Sequence, residues 1–134
     1  MTLDEAFPAI DPGLRPMGGR ILVQFKQTPK KTTASGIILT AETKETERWN
    51  TQVAKVVAIG PLAFKKRDTM EPWPEGSWCG IGDYIRVPKW GGDRVEIPFT
   101  DSDGQEDVAL FSVFNDHECI SSITGDPLKI RAFI

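Results

Sequence analysis

His117 and Cys119 lie two residues apart, a spacing that places both side chains on one face of a strand. A cysteine beside a base is the minimal equipment for nucleophilic catalysis. The plainer reading is a partly buried cysteine beside a surface histidine. His117 is the single histidine of the chain, which excludes zinc sites needing two or more His ligands from within it. Asp101-Ser102-Asp103-Gly104 matches part of a calcium loop, but the third ligand before the glycine and the later Glu are missing, so a solvated hairpin tip is expected. No GxxxxGK[ST] phosphate loop, no GxGxxG turn and no GxSxG elbow occurs. These absences point away from an enzyme, and neither a metal nor a cofactor is expected.

Binding chemistry is better represented. Ile37, Ile38 and Leu39 are adjacent and follow Gly36. Lys30, Lys31, Thr32, Thr33 and Ser35 precede them, and Thr40, Glu42, Thr43, Lys44 and Glu45 follow. Three aliphatic side chains in a polar stretch call for a partner that buries them, at about 1.5–3 kcal/mol each. Ordering the backbone opposes this by about 1–2 kcal/mol per residue. One such segment binds weakly; several on one assembly bind well, because each later contact is intramolecular. The alternative is an ordinary core strand at Ile37–Leu39. Two further groups are candidates for surface roles. Trp73 and Trp78 lie among prolines and are expected to pack onto the rest of the chain, and Trp90 beside Gly91-Gly92 reads as a strand-end anchor.

The elements that position these residues are short strands. The chain has 134 residues, with 12 glycines and 10 prolines, too many breakers for a long helical bundle. Residues 1–13 read as an irregular lead. Ile21, Val23 and Phe25 alternate with Arg20, Leu22, Gln24 and Lys26, the period of a half-buried strand. Residues 26–51 break that pattern and are long for a connection inside a compact domain. Gln52–Ile59 is a second strand, ended by Gly60-Pro61. Asp83–Val87 is a third, and Arg94–Ile97 reads as its returning hairpin partner across a turn at Trp90–Asp93. Thr100–Asp107 is an acidic turn and Val108–Val113 a fifth strand. Asn115–Glu118 has the spacing of a capping box, and Ile120–Ile123 and Lys129–Ile134 are short candidate strands. This spacing indicates an all-β chain, a small barrel with one domain over residues 1–134.

Charge and composition remove other classes. Sixteen Lys and Arg against 19 Asp and Glu give a net charge of −3, without the basic surplus of a nucleic-acid binder. The longest apolar run, Val56–Phe64, is interrupted by Gly60 and Pro61 and falls short of a membrane span of roughly 20 residues. Asp4, Glu5 and Asp11 precede the first basic residue, Arg15, which is not the pattern of a secretory signal. A cytoplasmic protein with Cys79 and Cys119 reduced is expected.

Four stretches, in order, carry a family resemblance. Leu14-Arg15-Pro16-Met17 with Arg20-Ile21-Leu22-Val23, Ser35-Gly36-Ile37-Ile38-Leu39-Thr40, Val53 to Gly60, and Ile81-Gly82-Asp83-Tyr84-Ile85 resemble the signature segments of the GroES-like co-chaperonins. The resemblance implies a small, partly open β-barrel with a long mobile loop at residues 26–51 and a hairpin insertion. It implies a homo-oligomeric ring of seven copies that caps a GroEL-type chaperonin and encloses substrate protein, with ATP bound by the chaperonin. Gly36, Ile37, Ile38 and Leu39 correspond to the chaperonin-binding motif, and the region of Trp73 and Trp78 to the hairpin that projects toward the centre of the dome. Residues 1–13, the longer 89–107 segment, the extension 124–134 and Ser35 in place of a glycine depart from the family pattern. Such decoration resembles the divergent co-chaperonins of some bacteriophages. The family implies that the N-terminal strand pairs with a neighbour's C-terminal strand, a role open to Ile120–Ile123 or Lys129–Ile134. Two rivals follow from the same barrel: a structural or assembly adaptor without chaperonin binding, and the catalytic domain of zinc-dependent alcohol dehydrogenases, whose dinucleotide-binding domain and metal ligands have no trace here.

Overall fold

Alternating apolar residues make Arg20–Phe25 a strand (β1), and its neighbours bury both of its faces. A computed structural model describes residues 2–27, 53–88, 92–101 and 103–130. After β1 come β2 (Val53–Ile59), β3 (Tyr84–Arg86), β4 (Asp93–Thr100), β5 (Glu106–Asn115) and β6 (Ser121–Ser122). All pairings are antiparallel, in the order β4-β5-β1-β2-β3-β6. The sheet curls around one cluster that includes Ile21, Val23, Phe25, Val56, Ile85 and Phe114. Two edges, β4 and β6, stay unjoined to each other, which makes a small, partly open GroES-like barrel.

The central strand departs from simple alternation. Leu22 is buried on the outer face with Ala109 and Phe111, under Ile10, Val95 and Ile97. Gln24, also buried, donates its side-chain amide to the Pro8 carbonyl at 3.0 Å. The outer face of β1 is therefore covered by the lead and by the long β4–β5 ribbon.

Three expectations are corrected. Arg94–Ile97 is not the partner of β3: β4 pairs with β5 from Asp93↔Val113 to Thr100↔Glu106. β3 has no edge to offer, because β2 takes one side and β6 the other. The acidic stretch is then the tip of the β4–β5 hairpin, where Asp101 Oδ1 accepts from the Asp103 and Gln105 amides at 3.0 and 2.9 Å. The lead is not irregular throughout. Leu3–Ala6 forms one helical turn (α1), with the Thr2 hydroxyl accepting from the Glu5 amide at 3.2 Å, and Ala6 and Phe7 are buried. Ile120–Ile123 holds the expected short strand: β6 pairs with β3, and the Ile120 and Ile123 amides donate to the Arg86 and Tyr84 carbonyls. Finally, the described start of Lys129–Ile134 is not a strand: Lys129 closes a turn through its N–H to the Asp126 carbonyl, and residues 131–134 lie outside the described residues.

Two glycines are dictated by space. At Gly60 a side chain would collide with the carbonyls of Gly18 and Arg20, to the second of which its own amide donates at 2.8 Å. Gly92 has φ of +73°, and a Cβ there would meet Ser112 and the Phe114 ring.

Candidate functional site

Gly36, Ile37, Ile38 and Leu39, the binding residues expected from the sequence, lie outside the described residues, as does Trp90. The roots of the 28–52 connection are described. β1 and β2 pair down to Phe25↔Ala54, past a register shift between Leu22 and Val23, and the Lys26 amide donates to the Val53 carbonyl at 3.3 Å. The connection therefore begins and ends at neighbouring positions on one end of the barrel. Gln27 fixes the first root. Its amide donates to the Ala6 carbonyl at 2.7 Å, and its buried side chain donates to Asp107 Oδ2 at 3.1 Å and the Val108 carbonyl at 2.9 Å. Sequence reading overlooked Gln27, since a glutamine at a strand end carries no motif.

The tryptophan region packs onto the barrel. Lys65 bridges to Pro72, and the Lys66 amide donates to the Glu71 carbonyl at 2.8 Å, closing a short hairpin. Trp78 meets Phe64 edge-on at 5.5 Å, and Trp73 stacks on Trp78 at 6.1 Å with 23° between planes. Lys66 Nζ stands 6.0 Å from the Trp73 ring centre, and Trp73 keeps 38% of its surface exposed. Trp78 is thus a packing residue and Trp73 its partly exposed cover.

His117 and Cys119 line a shallow recess of about 520 Å³ together with Trp78 and Ile120, but they do not form a catalytic pair. The Cys119 thiol is hydrogen-bonded to Cys79, and His117 Nδ1 lies 3.5 Å from Asp116 Oδ1. The bond to Cys119 holds the Cys79 thiol below its ordinary range, against the opposing effects of burial and Asp83. Cys119 is pushed up, first because it keeps its proton for that bond and then by burial.

Asp116 was invisible as a chemical residue in the sequence. It is buried at the start of the 3₁₀ turn Asp116–Glu118. Its Oδ2 accepts from the Phe64 amide at 2.8 Å and its Oδ1 from the His117 amide at 2.8 Å. Phe64 has φ of +63°, a left-handed conformation uncommon for a non-glycine, and its ring is buried. The expected capping arm of Glu118 is present, accepting from the Asn115 amide at 3.3 Å.

The comparisons with known proteins agree with this barrel. A family model described as the chaperonin 10 Kd subunit matches residues 13–110. The Co-chaperonin GroES of Acetivibrio thermocellus is 35% identical over 99 residues, covering 72% of this chain and 87% of that protein. Those of Caldicellulosiruptor saccharolyticus and Clostridium perfringens are 32% and 35% identical, covering 69% and 63% of this chain. The matched span contains both roots of the 28–52 connection and the Gly36–Leu39 motif between them. By its barrel, by the order of its signature segments and by these matches, the chain belongs to the chaperonin 10 family of co-chaperonins, which is not an enzyme family.

Proposed function

We propose that the chain caps a GroEL-type chaperonin in an ATP-dependent manner, as a ring of seven copies in the cytoplasm, and so encloses substrate protein for folding. The observation that carries this reading is the family match over residues 13–110, which spans the Gly36–Leu39 motif. The adjoining strand ends support it, because they present residues 28–52 from one end of the barrel. Ile37, Ile38 and Leu39 insert into an apolar groove of the chaperonin, and Gly36 supplies the turn that lets an extended edge lie in that groove. Each ring copy contributes a weak contact, and the copies together give a tight one. The partner binds the ATP; this chain holds no cofactor and performs no catalysis. Its net charge of −3 fits neither nucleic-acid binding nor an electrostatic membrane role. Among the described residues, no helix is long and apolar enough to cross a membrane.

Ile38→Asp tests the site. Losing one buried isoleucine costs roughly 1.5–3 kcal/mol per loop, on the order of tenfold or more in affinity for each contact. Over a ring, association should fall below detection while circular dichroism and the melting temperature stay those of the wild type. Association that survives the substitution removes Ile38 from the mechanism and favours an adaptor.

A further inference from the structure

The lead before the family match and the extension at the far end of the chain meet at the roots of the 28–52 connection. Phe7 is buried between them: its ring meets Tyr84 edge-on at 5.1 Å, within a cluster completed by Ile123, Leu128 and Ile130. Val53, the second root, is 1% exposed in the same cluster. The first root is tied to both segments. Gln27 donates its amide to the Ala6 carbonyl at 2.7 Å, and Lys26 Nζ donates to the Leu128 carbonyl at 3.4 Å. The lead is held a second time by Gln24, through the Pro8 carbonyl at 3.0 Å.

This cluster is separate from the barrel's interior. The inner core closes over Ile21, Val23, Phe25, Val56, Ile85 and Phe114 without a residue of α1 or of the extension. The two segments thus add little to the closing of the barrel and much to the place where residues 28–52 leave it.

We propose that residues 2–8 and 123–130 form a clasp that fixes both roots of the 28–52 connection and so positions the chaperonin-binding segment. The positioning role rests on the co-chaperonin reading above; the hold on the roots does not. Fixed roots lower the ordering cost of the bound segment and narrow the directions in which it can leave the barrel. Phe7 and Leu128 act as positioning residues, through Gln27, Lys26 and Val53.

The test uses full-length wild type, Phe7→Ala and Leu128→Ala. Amide hydrogen exchange is read at Lys26 and Gln27, with Ala109–Phe114 of β5 as the internal control, and nucleotide-dependent association with a GroEL-type chaperonin is measured in parallel. The expected result is at least tenfold faster exchange at Lys26 and Gln27 in Phe7→Ala and severalfold in Leu128→Ala. β5 stays unchanged, and chaperonin association weakens severalfold. Wild-type exchange rates at the roots overturn the clasp. Equal acceleration in β5 also overturns it, because the segments then merely support the barrel. Fast root exchange with undiminished association overturns the positioning role alone. A wild type that fails to associate overturns the co-chaperonin reading, while the exchange data still decide whether the clasp holds the roots.

Discussion

Asp116 holds an irregular stretch of backbone in place. Its two carboxylate oxygens satisfy the amides of Phe64, at positive φ, and of His117. Asp116→Ala leaves a buried N–H without a partner, which costs about 1–3 kcal/mol. Urea unfolding should show a loss of that size, with part of it recovered in Asp116→Asn; a neutral Ala variant would contradict the role. The thiol pair makes a second prediction at this scale. The Cys119 thiol donates to the Cys79 sulfur and stabilises its thiolate, so Cys119→Ala should move the alkylation midpoint of Cys79 to higher pH. An unmoved midpoint would contradict the bond. The two thiols act on stability with opposite signs: the lowered Cys79 favours the folded chain as pH rises, whereas Cys119 in the folded chain keeps a proton that the unfolded chain releases. The Cys119 contribution is present below the ordinary thiol range and is lost as pH rises above it. Neither feature was legible in the sequence: Asp116 reads as part of a capping turn, and Cys79 and Cys119 are 40 positions apart.

At the scale of elements, β2 must stop where it does. Gly60 passes so close to the Gly18 and Arg20 carbonyls that Gly60→Ala forces the two chain segments apart. A loss of about 1–3 kcal/mol is expected, as for other overpacked sites, and would show in a urea titration; wild-type stability would mean that the β1 entry yields freely. β1, β2, β3 and β5 were legible because alternation and apolar runs mark strands wherever their faces are buried. The partner of β4 was not. Sequence proximity favoured a hairpin with β3, whereas both edges of β3 are taken by elements distant in sequence. The second apolar face of β1 was hidden for a related reason: Leu22 and Gln24 sit at positions that read as solvent-facing until Ile10, Pro8 and the β4–β5 ribbon cover them. The helical turn of the lead had a signal, Thr2 followed by Glu5 three positions on, the spacing of an N-terminal cap.

For the whole molecule, the sequence made the barrel and the family legible, because signature segments in a fixed order survive changes in loop length. Ile37–Leu39 stands out in the sequence by contrast, as an apolar triplet in polar surroundings, and lies outside the described residues. The clasp was not, since it joins the two ends of the chain through side chains of ordinary type. On the proposed function, a ring adds affinity by the same energetics: each copy offers few aliphatic contacts after ordering costs, and several copies bind together. The most direct test of the central claim is co-sedimentation of the purified protein with a GroEL-type chaperonin, with and without ATP. The protein is expected to sediment with the chaperonin when ATP is present and to stay in the supernatant when it is absent. Sedimentation indifferent to nucleotide, or none in either condition, would contradict it.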